Sequence, residues 1–248
     1  MTTAAPPATR VLAQARFEVG TLLRNGEQLL VSLILPAIVL VGLHVASTPS
    51  LGPGRRIDVA TPGVIALCIM SAAFTSQAIS TGFDRRYSVL RYLGVTPLGR
   101  GGLIAAKILA TLAVEVIQVL VLGALAVGLG WRPDLGGLPY ALLFLVLGTW
   151  AFVALAMLLA GTLRAEAVLA LANLVWIVLL AAGGVVVPRT QFPETASNLA
   201  GLLPSAALAD GLRAALIDGR LDGLALGVLA LWGGVCSGLA ARWFRWAD

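Results

Sequence analysis

Glu115 is the one acidic residue that falls near the middle of a long apolar stretch. A charge at that depth costs about 2.5–3.5 kcal/mol on insertion scales. Lys107, Thr111, Glu115 and Gln118 recur at helical spacing and lie within about 80° of arc. Such a stripe can form the wall of a transport path, or it can hydrogen-bond to a neighbouring helix or subunit. Either way it must face protein or water. Groups for covalent or acid–base catalysis do not accompany it. The chain has no G-x-x-x-x-G-K-[ST] phosphate loop, no H-E-x-x-H and no G-x-S-x-G. His44 is the single histidine, so His-based triads and multi-His metal sites are excluded. Cys68 and Cys236 lie far apart in apolar runs and read as packing residues, not as a disulfide or metal pair. No catalytic residue, metal ligand set or cofactor site is expected.

Two further segments carry a pattern. GFDRRYSVLRYLGVTPLGRGG runs from Gly82 to Gly102. Asp84 suits the acceptor that opens a short helix, and Gly94 with Pro97 suits its end. Between them Arg85, Arg86 and Arg91 interleave with Tyr87, Leu90, Tyr92 and Leu93. A short helix with apolar and cationic faces fits a groove on a soluble partner, or it binds anionic headgroups. The second segment, GGVVVPRTQFPETASNLAGLLPSAALADGLRAALIDGR, runs from Gly183 to Arg220 and contains Pro188, Phe192, Pro193, Pro204 and Arg213. Its moderately apolar pieces, 198–203 and 206–217, are too short to span a bilayer. They read as re-entrant or interfacial helices that could form an external lid.

The elements that hold these groups follow from composition. Hydrophobic residues make up 59% of the 248 positions and charged residues 12%, against about 25% charged in soluble domains. Lipid is the solvent that suits such a chain. Long unbroken apolar runs indicate helices, not the alternating strands of a barrel. Six runs approach the length of about 20 residues needed to cross a bilayer: 29–46, 62–81, 103–129, 139–161, 167–187 and 221–241. The fold expected is an all-α integral membrane protein with six transmembrane helices. It forms one domain over 1–248, with a tail and interfacial helix in 1–28, a six-span core in 29–241 and a tail in 242–248. In the second run, Ala73, Ser76, Gln77 and Ser80 share a face, which points to close helix packing.

Before the first run, Val11, Leu12, Ala15, Val19, Leu22 and Leu23 share one arc, and Arg10, Gln14 and Arg24 lie opposite, with Phe17 out of pattern. This is the pattern of an amphipathic helix lying in the membrane interface. The first ten residues carry one positive charge, and no small-residue cleavage site follows the first apolar run, so that run is expected to be its own insertion signal. With the N-terminus inside, eleven cationic residues fall on the inner side and six on the outer. The rule that positive charge stays inside then places both termini in the cytoplasm. The net charge of +5 is accounted for by this topology, so nucleic acid is not an expected partner.

The chain resembles the ABC-2 type transporter permeases, the group that includes the daunorubicin-resistance membrane subunits. The resemblance covers nearly the whole chain. It rests on the order of spans behind an interfacial helix, on RRYSVLRYLGVTPLGRGGLIAAKILA with Gly94, Thr96, Pro97, Arg100 and Lys107, and on PRTQFPETASNLAGLLPSAALADGLRAAL with Phe192, Pro193, Pro204 and Arg213. It implies a pair of permeases, identical or mixed, in a bacterial cytoplasmic membrane. Each would dock through a cytoplasmic coupling helix on a separate ATP-binding cassette ATPase and export drugs, lipids or polysaccharides. The short loops look more like the drug and lipid branch, hence multidrug efflux. Rival readings are a haem or cytochrome-maturation permease, a proton-coupled secondary transporter using Glu115, and an intramembrane enzyme. The lack of paired catalytic groups disfavours the enzyme. The single intramembrane acid and the small number of spans disfavour the secondary transporter.

Overall fold

A computed structural model describes residues 5–24 and 26–245, with the backbone alone for 26–31. The ends of the expected tails, 1–4 and 246–248, lie outside the described residues. Among the described residues the regular structure is helical: α1 (Pro7–Arg24), α2 (Gly26–Val45), α3 (Arg56–Met70), a π-helical segment (Ser71–Ser76), α4 (Gln77–Arg86), α5 (Val89–Gly94), α6 (Gly99–Gly128), α7 (Leu138–Thr162), α8 (Ala165–Ala182), α9 (Glu194–Ala200), α10 (Pro204–Asp218) and α11 (Gly223–Trp243). Five helical stretches are long and apolar enough to cross a membrane: Arg56–Arg86, Gly99–Gly128, Leu135–Thr162, Ala165–Ala182 and Gly223–Trp243. Helix α2 has 20 residues with an apolar described part from Ser32 to Val45, and the bent α9–α10 pair counts as a sixth span if taken as one.

The second span is the central one. Its most apolar stretch is 78% buried, against 22% in α8 and 28% in α11, so those helices leave most of their surface outside the bundle. Its helix starts at Arg56, ahead of the expected Pro62. The cause is local. Arg55 pairs with Asp58 at 2.8 Å, which holds an acid in the first turn where the helix dipole favours it. Arg56 Nε donates to the Leu43 carbonyl at 3.0 Å, satisfying the open end of α2.

The fifth span is shorter than expected. It stops at Ala182, and Gly184 takes a left-handed φ of 62°, a conformation glycine adopts without a Cβ penalty. Residues 183–187 therefore turn into the protein instead of extending the helix.

In the half expected to face outward, α10 is a wedge. Its residues from Pro204 through Leu216 are buried except Asp210, and it packs on α3, α7 and α11. It meets the exposed α9 at 96°, the shape of a re-entrant pair. Close approach depends on absent side chains. A Cβ on Gly211 would lie 2.3 Å from the Phe144 ring, and one on Gly137 would lie 1.7 Å from the Ala215 carbonyl oxygen.

Candidate functional site

The end of the bundle that the charge distribution assigns to the inside carries arginines that reach backbone carbonyls, mostly at helix C-termini. Arg85 is buried and donates to the Ala160 carbonyl at 2.7 Å and to that of Leu163. Arg100 donates to the Ala241 carbonyl at 2.8 Å, and Arg10 donates to the Pro97 carbonyl. The last carbonyls of α7 and α11 have no partner within their own helices, and a cation suits them twice over, by hydrogen bond and by dipole. Arg86 pairs with Glu166 in the first turn of α8.

The segment between the second and third spans departs from the expected form. Asp84 does not open the short helix, because α4 runs on through Arg86. The break comes at Ser88, a non-glycine residue at φ 63°. The short helix is α5, and it ends at Gly94 ahead of Pro97, as the sequence indicates. Leu90 is fully buried and Leu93 packs against the core, so neither presents an anchor. The outward face carries Tyr87 (69% exposed), Val89, Tyr92 (75%) and Val95 (84%), with Arg86 and Arg91 exposed beside them. An element this small that keeps one leucine in the core while showing two tyrosines and two valines is a knob held from behind.

Lys107, Thr111, Glu115 and Gln118 are all buried, none more than 3% exposed. Together they meet α1, α2, α4 and α7. Lys107 Nζ lies 3.2 Å from Glu18 of α1 and 3.8 Å from Asp84 of α4. Thr111 accepts from Gln77 Nε2 at 3.0 Å. Glu115 accepts from the Thr149 hydroxyl of α7. Gln118 donates to Ser32 Oγ of α2 at 2.8 Å. The stripe thus ties α6 to its neighbours. Glu18 is the partner that sequence reasoning missed. Its signal was a carboxylate next to the apolar arc of the first helix, one turn from Gln14 and Leu22.

The outer group gathers around α10. Arg213 is buried and donates to the carbonyls of Gly184 at 2.8 Å and Val185 at 2.6 Å, with Asp210 at 3.5 Å. Asp210 also pairs with Arg189. Pro188 is buried in the turn before Arg189, and Pro204 is buried at the first position of α10. Phe192 is half-buried and Pro193 exposed at the start of α9. Arg213 and Pro204 therefore belong to one packed cluster with Pro188, and Phe192 and Pro193 lie at its margin.

At this end Arg55, Arg189, Arg213 and Arg220 pair with acids, whereas Arg10, Arg85 and Arg100 at the other end face carbonyls. Among the described residues no cluster of His, Cys, Asp and Glu could hold a metal.

A search of curated proteins finds no match. The model of the ABC-2 type transporters matches residues 9–217, from the first turn of α1 to the last turn of α10, and so takes in the inner knob, the α6 stripe and the outer wedge. A multi-pass helical membrane protein matched over that length is identified by it: the chain belongs to the ABC-2 type transporter family and is the membrane component of an ABC-type transporter.

Proposed function

We propose that this chain is the permease subunit of an ATP-binding cassette exporter. It moves a drug-like, lipid or other amphipathic substrate outward across a bacterial cytoplasmic membrane. A separate ATPase subunit drives it, and a second permease completes the path. The whole chain then acts as one transmembrane domain and hydrolyses no ATP itself, having no phosphate-binding loop.

The observation that carries this reading is the α5 knob. Exposed Tyr87, Tyr92 and Val95 offer the aromatic anchors typical of protein contacts, and exposed arginines flank them. The same end of the bundle carries Arg10, Arg85, Arg86, Arg100 and Arg242, which supports placing it and both termini in the cytoplasm. A rigid link from knob to spans is available through buried Leu90 and α4. An ATPase that contacts the knob differently in its two states would bias the spans through that link.

Glu115 enters this reading as a structural tie between α6 and α7. Thr111 and Gln118 are the stripe members nearest an open space. The Arg213 seal serves as the external gate in its closed form. Co-purification of the chain with its cassette ATPase, with Tyr92→Ala as the comparison, tests the assignment. Retention of the ATPase by the native chain and its loss from the variant are expected.

A further inference from the structure

A partly open cleft of about 40 Å³ lies between α1, α2, the π segment and α6. Its polar lining is Ser32, Ser71, Ser76, Gln77, Thr111 and Gln118, and none of these carries a formal charge. Most of their hydrogen-bonding capacity is spent locally. Gln118 Nε2 donates to Ser32 Oγ at 2.8 Å. Ser71 donates to the Leu67 carbonyl at 2.7 Å and accepts from Trp176 Nε1 at 3.1 Å. Gln77 Nε2 donates to Thr111 Oγ1 at 3.0 Å.

Two valences remain. Gln77 is 2% exposed, yet its Oε1 has no partner. Thr111 accepts from Gln77, and among the described residues its hydroxyl hydrogen has no acceptor. Buried polar atoms are nearly always satisfied, so an orphan calls for an explanation. An open acceptor and an open donor on side chains 3.0 Å apart complement one hydroxyl group, which donates and accepts through a single oxygen.

The backbone here is itself unusual. Ser71–Ser76 form a π segment, a rare widening that recurs at functional sites. It brings Ser71, Ser76 and Gln77 onto the cleft together. Among the described residues the lining offers a charged ligand no counter-ion. The only lysine is already paired with Glu18 and Asp84, and Glu115 is turned to Thr149. One water needs about 10–15 Å³, so the space suits a hydroxyl and its first carbons, not a whole headgroup.

We propose that this cleft binds the hydroxyl of an uncharged amphiphile, a long-chain alcohol or acylglycerol, whose apolar chain leaves past Leu22 and Val114. The proposal rests on the permease reading only in making that amphiphile the cargo.

The test uses the full chain alone in nanodiscs. The probe is a decanol bearing a diazirine in its chain, compared with its methyl ether, which cannot donate. Labelled segments are mapped by mass spectrometry. The alcohol should label residues 71–77 and 111–118 about tenfold more than the ether, the factor that corresponds to one good hydrogen bond. Gln77→Leu and Thr111→Val should each bring the alcohol down to the ether's level with an unchanged gel-filtration profile. Equal labelling by the two probes overturns the proposal, because a resident water then satisfies Gln77. Labelling that survives both substitutions overturns it as well. No ATPase enters the assay. Loss of ATP-driven transport with labelling intact would therefore count against the permease reading and leave the hydroxyl site standing.

Discussion

Lys107 Nζ lies 3.2 Å from Glu18 Oε2, and this contact ties the N-terminal helix to the third span. The ammonium is wholly buried, and Asp84 completes its surroundings at 3.8 Å. One cation thus holds α1, α4 and α6 together just behind the α5 knob. Burying the only lysine is tolerable because two carboxylates flank it. It links α1 to α4, the helix that leads into the knob.

Lys107→Met should therefore lower stability in detergent by about 2–3 kcal/mol. The loss leaves Glu18 and Asp84 facing each other, and the partial exposure of Asp84 moderates it. Adding Glu18→Gln should recover part of it. Thermal unfolding of the two variants measures both effects, and a double variant no better than the single would break the account of the pair.

Glu115→Gln should insert, fold and transport like the native chain, with stability changed by less than about 1 kcal/mol. The amide oxygen can still accept from Thr149, and Glu115 is sealed from solvent. Transport assayed across a pH series checks this. A pH profile displaced by the substitution would revive the proton-carrier reading.

The outer seal has a tight point. A Cβ on Gly63 would lie 2.3 Å from the Val185 carbonyl oxygen and 2.8 Å from Arg213 Nη2. Gly63→Ala should cost about 1–3 kcal/mol through overpacking. Arg213→Met should cost a comparable amount by leaving the Gly184 and Val185 carbonyls without donors. Both variants should admit a bulky external thiol reagent to a cysteine placed at Ala207, which is buried in the native chain. Native-like protection would contradict the seal.

Leu90→Asp and Tyr92→Asp separate two roles on one short helix. Leu90 is in the core, so its substitution should destabilise the inner end by about 3 kcal/mol or more through a buried charge. Tyr92→Asp should leave unfolding unchanged and shorten the residence of the ATPase. Arg91→Ala should act mainly on association, with a strong salt dependence. Unfolding and binding kinetics together distinguish the three.

The spans were legible because an apolar run of the right length has one use in lipid. Helix α10 was legible for the converse reason, being apolar but short and opened by Pro204, whereas α9 starts at Glu194, four residues ahead of the apolar piece expected at 198–203. The faces were not. Lipid is as apolar as leucine, so periodicity cannot tell a face that meets lipid from one that meets protein. That is why Leu90 looked like an anchor for a partner and sits in the core. Arg85 looked like a steering charge and turns inward to the end of α7. The stripe on α6 was visible as a stripe, but its partners on α1, α2, α4 and α7 were not, since pairing across helices leaves no local signal. The π segment has no composition of its own.

The central claim is that the α5 knob is where an ATPase drives this chain. A photo-crosslinking residue at position 92, in the chain co-expressed with cassette ATPases of its own genome, tests it most directly. The account predicts a single crosslinked adduct with one ATPase subunit, and ATP hydrolysis that requires the assembled complex. Crosslinks to lipid alone, with ATPase still bound elsewhere or not at all, would contradict it.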